Sequence, residues 1–167
     1  MAREVPSMAV RAGVHSIEHG LFLTEADVIE LGARGGIWVP TVLRMEAVIR
    51  QLGADSSGGR LIREGIENVA SLLDTAVEDG VFLEAGTDLA VGTRAVAAEA
   101  VRLWELGMSP VRVVDAVSTA GLLATGRTGG FEFGSPANVV LYPENPVTDP
   151  RVLAHPKQVV RLGVPLG

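Results

Sequence analysis

The chain contains no cysteine, which excludes disulfides, thiolate zinc sites and cysteine nucleophiles. Lysine is nearly absent as well, since Lys157 is its one occurrence among 14 basic residues. Acidic residues number 20, and the net charge of −6 is opposite in sign to that of a nucleic-acid-binding surface. No run of 18 apolar residues occurs, so the sequence predicts no membrane-spanning helix, and a cytoplasmic location is the default expectation.

The rest of the composition is that of a globular α/β protein. Of its 167 residues, 47% are apolar and 20% are charged. Short apolar runs alternate with helical periodicity, and this order predicts a parallel sheet joined by helical crossovers. Strands are predicted at residues 13–19, 36–42 and 81–88. Helices are predicted after an N-cap at Thr24 with Asp27 at its third position, at about 60–79 and 93–106, and from Pro110 to about residue 123.

The last quarter of the chain has a different character. Residues 127–167 are rich in glycine, proline and valine, and they contain the apolar runs ANVVLY and KQVVRL. These runs predict strands of a small β layer punctuated by proline turns. We therefore predict an α/β domain over residues 1–126 and a β-strand segment over residues 127–167.

Two candidate metal ligands follow predicted strands at equivalent positions. His19 ends the first strand in SIEHG, and Asp88 ends the third in AGTD. Ligands of parallel α/β folds bind beyond the carboxyl ends of the strands, and imidazole with carboxylate suits a hydrolytic divalent metal. The alternative is that His19 is a hydrogen-bonded core histidine and Asp88 a helix cap.

Three further residues are candidates for substrate binding. Trp38 and Thr41 lie on either side of Val39–Pro40 at the end of the second strand, and Arg94 follows the loop after Asp88, where it would meet an anionic group. The alternatives are a packing role for Trp38 and a solvated helix-end position for Arg94.

The other two histidines are predicted to lie away from the chemistry. His15 shares a strand face with His19 but precedes it by four residues, or about 13 Å at the rise of a strand. His155 falls in a turn of the tail.

The ordered series of motifs resembles the amidohydrolase superfamily, nearest to its imidazolonepropionase-like and Xaa-Pro dipeptidase-like subgroup. The motifs are AGVHSIEHG, GGIWVPTV, GTD, AVSTAGLLATG, GGFEFGSPANVVLY and the closing VVRLGVPL. The resemblance implies that His19 and Asp88 close strands 6 and 8 of a (β/α)8 TIM barrel. The chain would then hold the last three β/α units, followed by a strand segment of a composite β-sandwich.

The chain departs from this family where most metal ligands should be. It has no H-x-H motif and no histidine matching the one on strand 5, and its single lysine lies in the tail. Asn138 also stands where the tail motif has aspartate. The implied cofactor is a divalent metal, Zn²⁺ first with Mn²⁺ or Fe²⁺ as alternatives, bound weakly or not at all by this chain alone.

The resemblance implies hydrolysis of a C–N bond in a small-molecule amide, cyclic amide or dipeptide. His19 and Asp88 would be both catalytic residues and metal ligands, and the chain alone would be an incomplete catalyst. A homo-oligomer or a complementary chain would complete it, with no nucleic-acid or membrane partner. The alternative is an inactive truncated remnant that oligomerises through open sheet edges.

Overall fold

A computed structural model of the chain describes residues 3–88, 94–124, 126 and 133–166. The described helices are α1 Val5–Arg11, α2 Glu25–Gly32, α3 Val42–Leu52, α4 Ser57–Glu78, α5 Arg94–Glu105, α6 Pro110–Ala116 and α7 Ala120–Ala124. The described strands are β1 Ser16–Glu18, β2 Ile37–Val39, β3 Phe82–Leu83, β4 Val139–Leu141, β5 Gln158–Arg161 and β6 Val164–Leu166, and a 3₁₀ turn covers Pro150–Ala154.

The first three strands form a parallel sheet in the order β1-β2-β3. Helix α2 connects β1 to β2, and α3 and α4 connect β2 to β3. The predicted α/β class with a parallel sheet is confirmed. Because neighbouring strands are parallel, their carboxyl ends all lie at one edge of the sheet.

The tail forms a separate antiparallel sheet in the order β4-β5-β6, which confirms the strands predicted from ANVVLY and KQVVRL. The 3₁₀ turn before β5 contacts α5 and α6, and its Leu153 is buried in the main core. The tail therefore packs against the helices of the first part of the chain.

The predicted start of α2 is confirmed in detail. The Thr24 hydroxyl accepts the Asp27 amide at 3.2 Å, and the Asp27 carboxylate accepts the Thr24 amide at 2.8 Å. This reciprocal pair is a capping box, which satisfies amide groups that have no acceptor within the helix.

The strand predicted at 36–42 is shorter than expected and is followed by a helix that the sequence analysis missed. Strand β2 ends at Val39, because Pro40 has no N–H for the sheet and Thr41 takes a left-handed backbone with φ 51°. Helix α3 begins at once with Val42. The strand predicted at 81–88 is likewise reduced to Phe82–Leu83.

The helix predicted from Pro110 to about residue 123 is two helices, α6 and α7. Between them, the Ser118 hydroxyl donates to the Val114 carbonyl at 2.5 Å, and the Thr119 hydroxyl lies 3.2 Å from the Asp115 carboxylate. Such side-chain bonds to the preceding turn compete with the helical pattern. Ser109 and Pro110 begin α6 as predicted, although the Ser109 side chain makes no capping bond.

The core lies between the parallel sheet and its helices. Trp38 on the central strand is fully buried, and so are Leu73 of α4 and Leu103 of α5, at 0%, 1% and 0% exposure. In the described part of the chain, no helix is both long and apolar enough to cross a bilayer.

Candidate metal site at the carboxyl edge of the sheet

The carboxyl edge of the parallel sheet carries a cavity of about 240 Å³ that contains both predicted metal ligands. His19 follows β1 directly, Thr41 lies two residues after β2, and Asp88 lies five residues after β3. The lining is completed by Glu18, Val39, Gly86 and Thr87. Residues separated by up to 70 positions in the sequence thus meet because their strands are parallel neighbours.

All three strand-end residues have a left-handed backbone. The φ angles are 63° at His19, 51° at Thr41 and 37° at Asp88. Non-glycine residues rarely adopt this region, and a β-branched threonine does so at particular cost. Such strain persists where the surrounding structure enforces it, and it concentrates at functional sites.

The glycine of the IEHG motif allows the chain to turn at His19. Gly20 also has a positive φ of 62°, and a Cβ there would lie 2.4 Å from Nε1 of the Trp38 indole. The close approach lets the Trp38 N–H donate to the His19 carbonyl at 3.1 Å. The buried indole therefore fixes the backbone of His19.

The imidazole ring of His19 is held separately, by Thr41. Nδ1 lies 2.6 Å from the Thr41 hydroxyl oxygen, and that hydroxyl donates its proton to the Pro40 carbonyl at 2.7 Å. A hydroxyl that gives its one proton to Pro40 accepts from His19, and this arrangement corresponds to the tautomer in which Nδ1 carries the N–H. Nε2 is then the nitrogen with a free lone pair, which is the form of histidine that binds a metal.

Asp88 has a cationic neighbour that the sequence analysis did not identify. The Arg44 guanidinium, in the first turn of α3, lies 3.4 Å from the Asp88 carboxylate, and each side chain is 36% exposed. A cation entering the site would therefore meet a carboxylate whose charge is already balanced.

Two more carboxylates lie near this edge. Burial raises the pKa of Glu84, and the negative charge of Glu18 raises it further. The Glu84 carboxyl group lies against Gly121 of α7, where an added Cβ would be 3.4 Å away. The raised pKa favours the neutral form of Glu84, so this carboxyl group adds less negative charge to the edge than an exposed glutamate would.

The donor set suits a divalent metal in kind but not in number. Within the residues that the structure describes, no group of three or more histidine, aspartate or glutamate side chains is arranged to hold a metal ion. Catalytic zinc takes about three protein ligands and keeps one position open. His19 and Asp88 therefore do not make a complete catalytic centre by themselves.

The candidates for substrate binding are placed unequally. Trp38 is fully buried at 0% exposure, which argues against the predicted contact of its ring with a substrate. Thr41 lines the cavity but is 3% exposed, with its hydroxyl engaged by His19. Arg94 begins α5, and its side chain falls outside the described part of the molecule. His15 and His155 are both exposed, and neither lines this cavity.

Comparison with known proteins confirms that this chain resembles part of an amidohydrolase. No family model matches the chain. Among curated proteins, the ochratoxinase of Aspergillus niger is 29% identical over 166 residues, covering 92% of this chain and 33% of the ochratoxinase.

Solved structures with a similar fold include relatives of the same kind. A crystal structure of a Xaa-Pro dipeptidase with methionine bound in its active site matches 98% of this chain with a TM-score of 0.77 and 25% identity. The crystal structure of A. niger ochratoxinase matches 95% with a TM-score of 0.76, and at 22% identity it supports the fold alone. This chain spans 42% and 38% of those two chains, and thus less than half of either protein.

Proposed function

We propose that the chain supplies the carboxyl-terminal part of a metal-dependent amidohydrolase that cleaves amide or peptide C–N bonds. In this proposal β1 to β3 are the last three strands of a (β/α)8 barrel, and residues 127–167 belong to its composite β-sandwich. The observation that carries the proposal is the convergence of His19 and Asp88, each left-handed, on one cavity at the carboxyl edge of the sheet. The relatedness to a Xaa-Pro dipeptidase and to an ochratoxinase supports the reaction class.

His19 and Asp88 have distinct roles in this reaction. His19 offers Nε2 as a ligand, because Thr41 holds the proton on Nδ1. Asp88 is a second ligand, and its carboxylate accepts the proton of the attacking water and passes it to the leaving nitrogen. A divalent metal, Zn²⁺ or else Mn²⁺ or Fe²⁺, held by His19 and Asp88 with further ligands would supply Lewis-acid activation of the attacking water.

The remaining ligands are proposed to come from outside these 167 residues. Two donors bind a divalent metal weakly, and the Arg44 guanidinium beside Asp88 competes with a cation for that carboxylate. A second polypeptide, another copy of the chain or further sequence of the same protein would complete the centre. The substrate expected from this class is a small amide or a dipeptide.

The second candidate is an inactive remnant that associates with a partner. It is favoured by an apolar cavity beside β1, on the sheet edge that pairs with no other strand among the described residues. The lining includes Val5, Ile17, Leu21, Phe22, Leu61 and Ile62. An unpaired edge next to an apolar surface is a ready site for pairing with another chain.

Metal binding at His19 tests the proposal directly. Metal-free protein would be titrated with Mn²⁺ or Co²⁺ while the three histidine ring signals are followed by NMR. We expect paramagnetic broadening of His19 before His15 and His155. His19→Ala and Asp88→Asn should abolish saturable binding, whereas the matched control His155→Ala should leave it unchanged.

Turnover separates the two candidate functions. The protein would be assayed for hydrolysis of a Xaa-Pro dipeptide with Zn²⁺ or Mn²⁺ added. Activity that is lost in Asp88→Asn would establish that these 167 residues are a hydrolase by themselves. Selective metal binding without turnover would mean that the centre needs ligands from elsewhere. Equal broadening of all three histidine signals would overturn the assignment of the metal site. The inactive remnant would then be the remaining candidate.

A further inference from the structure

Glu99 is a buried charged residue with no place in the proposed chemistry. It lies in α5 with 1% exposure, and both of its carboxylate oxygens are used. One accepts the Val42 amide at 2.6 Å and the other the Leu43 amide at 2.9 Å. These amides open α3, where no helical carbonyl precedes them to accept their protons.

Glu99 therefore caps a helix to which it does not belong. Thr41 occupies the N-cap position of α3 but makes no side-chain capping bond, because its hydroxyl is directed to Pro40 and His19. The carboxylate of Glu99 supplies the missing cap and also meets the positive end of the α3 dipole.

This cap acts on the residue that holds the ring of His19. Val42 directly follows Thr41, so fixing the Val42 and Leu43 amides fixes the backbone of Thr41 in its left-handed conformation. That conformation directs the Thr41 hydroxyl at Nδ1 of His19, 2.6 Å away. A threonine free of this constraint would relax toward the ordinary backbone regions and withdraw its hydroxyl.

We propose that Glu99 is a positioning residue, which acts through the first turn of α3 and Thr41 to keep the proton of His19 on Nδ1 and the lone pair on Nε2. Its functional value rests on the proposed role of His19 as a metal ligand. Glu99 itself touches neither His19 nor Asp88 among the contacts that define the site. The backbone of His19 is fixed independently by Trp38, so Glu99 should affect the ring and leave the turn at Gly20 in place.

The test is the tautomer of His19 in metal-free protein, read from long-range ¹H–¹⁵N correlations of ¹⁵N-labelled histidine. Wild-type protein should show His19 as the Nδ1–H form. In Glu99→Gln, the amide side chain can accept one of the two backbone protons but presents its own N–H to the other. The ratio of Nδ1–H to Nε2–H tautomers at His19 should then fall about five- to tenfold, the change expected when one hydrogen bond is lost.

His15 and His155 are internal controls, since their tautomers should not change in any variant. Thr41→Val removes the hydroxyl at nearly constant volume and should alter the His19 tautomer as Glu99→Gln does. Thr41→Ser keeps the hydroxyl and should restore the wild-type pattern. If Glu99→Gln does not fold, Glu99→Asp, whose carboxylate is shorter by one methylene, should give an intermediate ratio.

A folded Glu99→Gln or Glu99→Asp protein with the wild-type tautomer of His19 would overturn the proposal. The proposal would also be overturned if Thr41→Val changed the His19 tautomer ratio and the Glu99 variants did not, because Glu99 would then not act through Thr41. Neither result depends on metal or substrate. Failure of metal binding or hydrolysis with the expected tautomer changes would instead count against the proposed function alone.

Discussion

The first turns of α2 and α3 are both held by a buried carboxylate, but the two carboxylates come from different places in the sequence. At α2 the carboxylate is Asp27, three residues from the Thr24 cap it binds. At α3 it is Glu99, which reaches Val42 across 57 residues. The first cap can form as soon as α2 forms, whereas the second requires α5 to be packed in place. A local cap stabilises a helix, and a distant cap also ties the site beside α3 to the rest of the fold.

The largest expected difference between the two caps is in stability, and Glu99→Ala tests it. The substitution leaves the Val42 and Leu43 amides without an acceptor in the protein interior, at about 1–3 kcal/mol each. We expect the free energy of unfolding, measured in urea, to fall by about 2–5 kcal/mol. Glu105→Ala on the same helix is the matched control, because its exposed pair with Arg102 should contribute less than about 1 kcal/mol. Equal losses in the two variants would contradict the capping role.

The cap at α2 should give a smaller loss. Thr24→Ala removes a hydroxyl that accepts the Asp27 amide at 3.2 Å, and loss of a threonine cap costs about 1 kcal/mol. The matched control is Ser71→Ala, an exposed position within α4 where the hydroxyl bonds only to its own helix, at the Asn68 carbonyl. If Thr24→Ala costs as much as Glu99→Ala, the distinction between local and distant caps fails.

The two carboxylates also titrate in opposite directions. Burial acts to raise the pKa of Asp27, but hydrogen bonds from Ser7 and Thr24 and the charge of Arg11 outweigh it, so the pKa lies below its usual value. The stability that ionised Asp27 contributes is present above pH 4, near the unfolded pKa, and is lost as pH falls through the folded one.

At Glu99 burial prevails, and the pKa is raised. The amides of Leu43 and Val42 lower it, Glu46 raises it and Arg102 lowers it, but these effects do not reverse the effect of burial. Since the folded pKa is above the unfolded one, the contribution of Glu99 is greatest below the unfolded pKa of about 4.3 and falls as pH rises through the folded value.

We therefore expect opposite pH dependences for two isosteric variants. Between about pH 3 and pH 6, the stability of wild type relative to Asp27→Asn should rise with pH, and that relative to Glu99→Gln should fall. The measurement is urea unfolding of all three proteins across this range. If both stability differences changed with pH in the same direction, the two pKa values would be shifted in the same direction. Hydrogen bonds would then outweigh burial at both carboxyl groups or at neither.

The caps also show which features could be predicted from the sequence. The α2 cap was predicted because Thr24 and Asp27 are three residues apart and their spacing carries the whole signal. The meeting of His19 and Asp88 in one cavity followed from their places at the ends of parallel strands, and the structure puts them there. Their role as ligands stays a proposal.

The features that were missed depend on contacts between distant parts of the chain. Helix α3 was not predicted, because its first turn takes its cap from Glu99 and its N-cap residue, Thr41, is left-handed and unsuited to begin a helix by itself. The one signal in the sequence was Glu99 itself. It lies four positions before the buried Leu103, so a charged residue falls on the inner face of α5. That pattern indicates a buried polar contact but does not say which amides it reaches.

The smallest expected effect separates backbone strain from function. Leu162 is the remaining non-glycine residue with a left-handed backbone in the described chain, at φ 50°, and it is 67% exposed in the turn between β5 and β6. With Gly163 it forms a two-residue hairpin turn, in which asparagine is preferred at the first position. Leu162→Asn should therefore raise the free energy of unfolding, by about 0.5–1 kcal/mol, as strain without a function is relieved.

Relieving the left-handed backbone strain at Thr41 should not stabilise the protein. Thr41→Gly also removes left-handed strain, but it deletes the buried hydroxyl that joins His19 to Pro40, so we expect a net loss of stability. Urea unfolding of the two variants gives the comparison. If both substitutions stabilise the protein to the same extent, the left-handed residue at the end of β2 is no more constrained than a surface turn. If Leu162→Asn stabilises and Thr41→Gly destabilises, the strain at the sheet edge is held in place by the polar network that begins at Glu99.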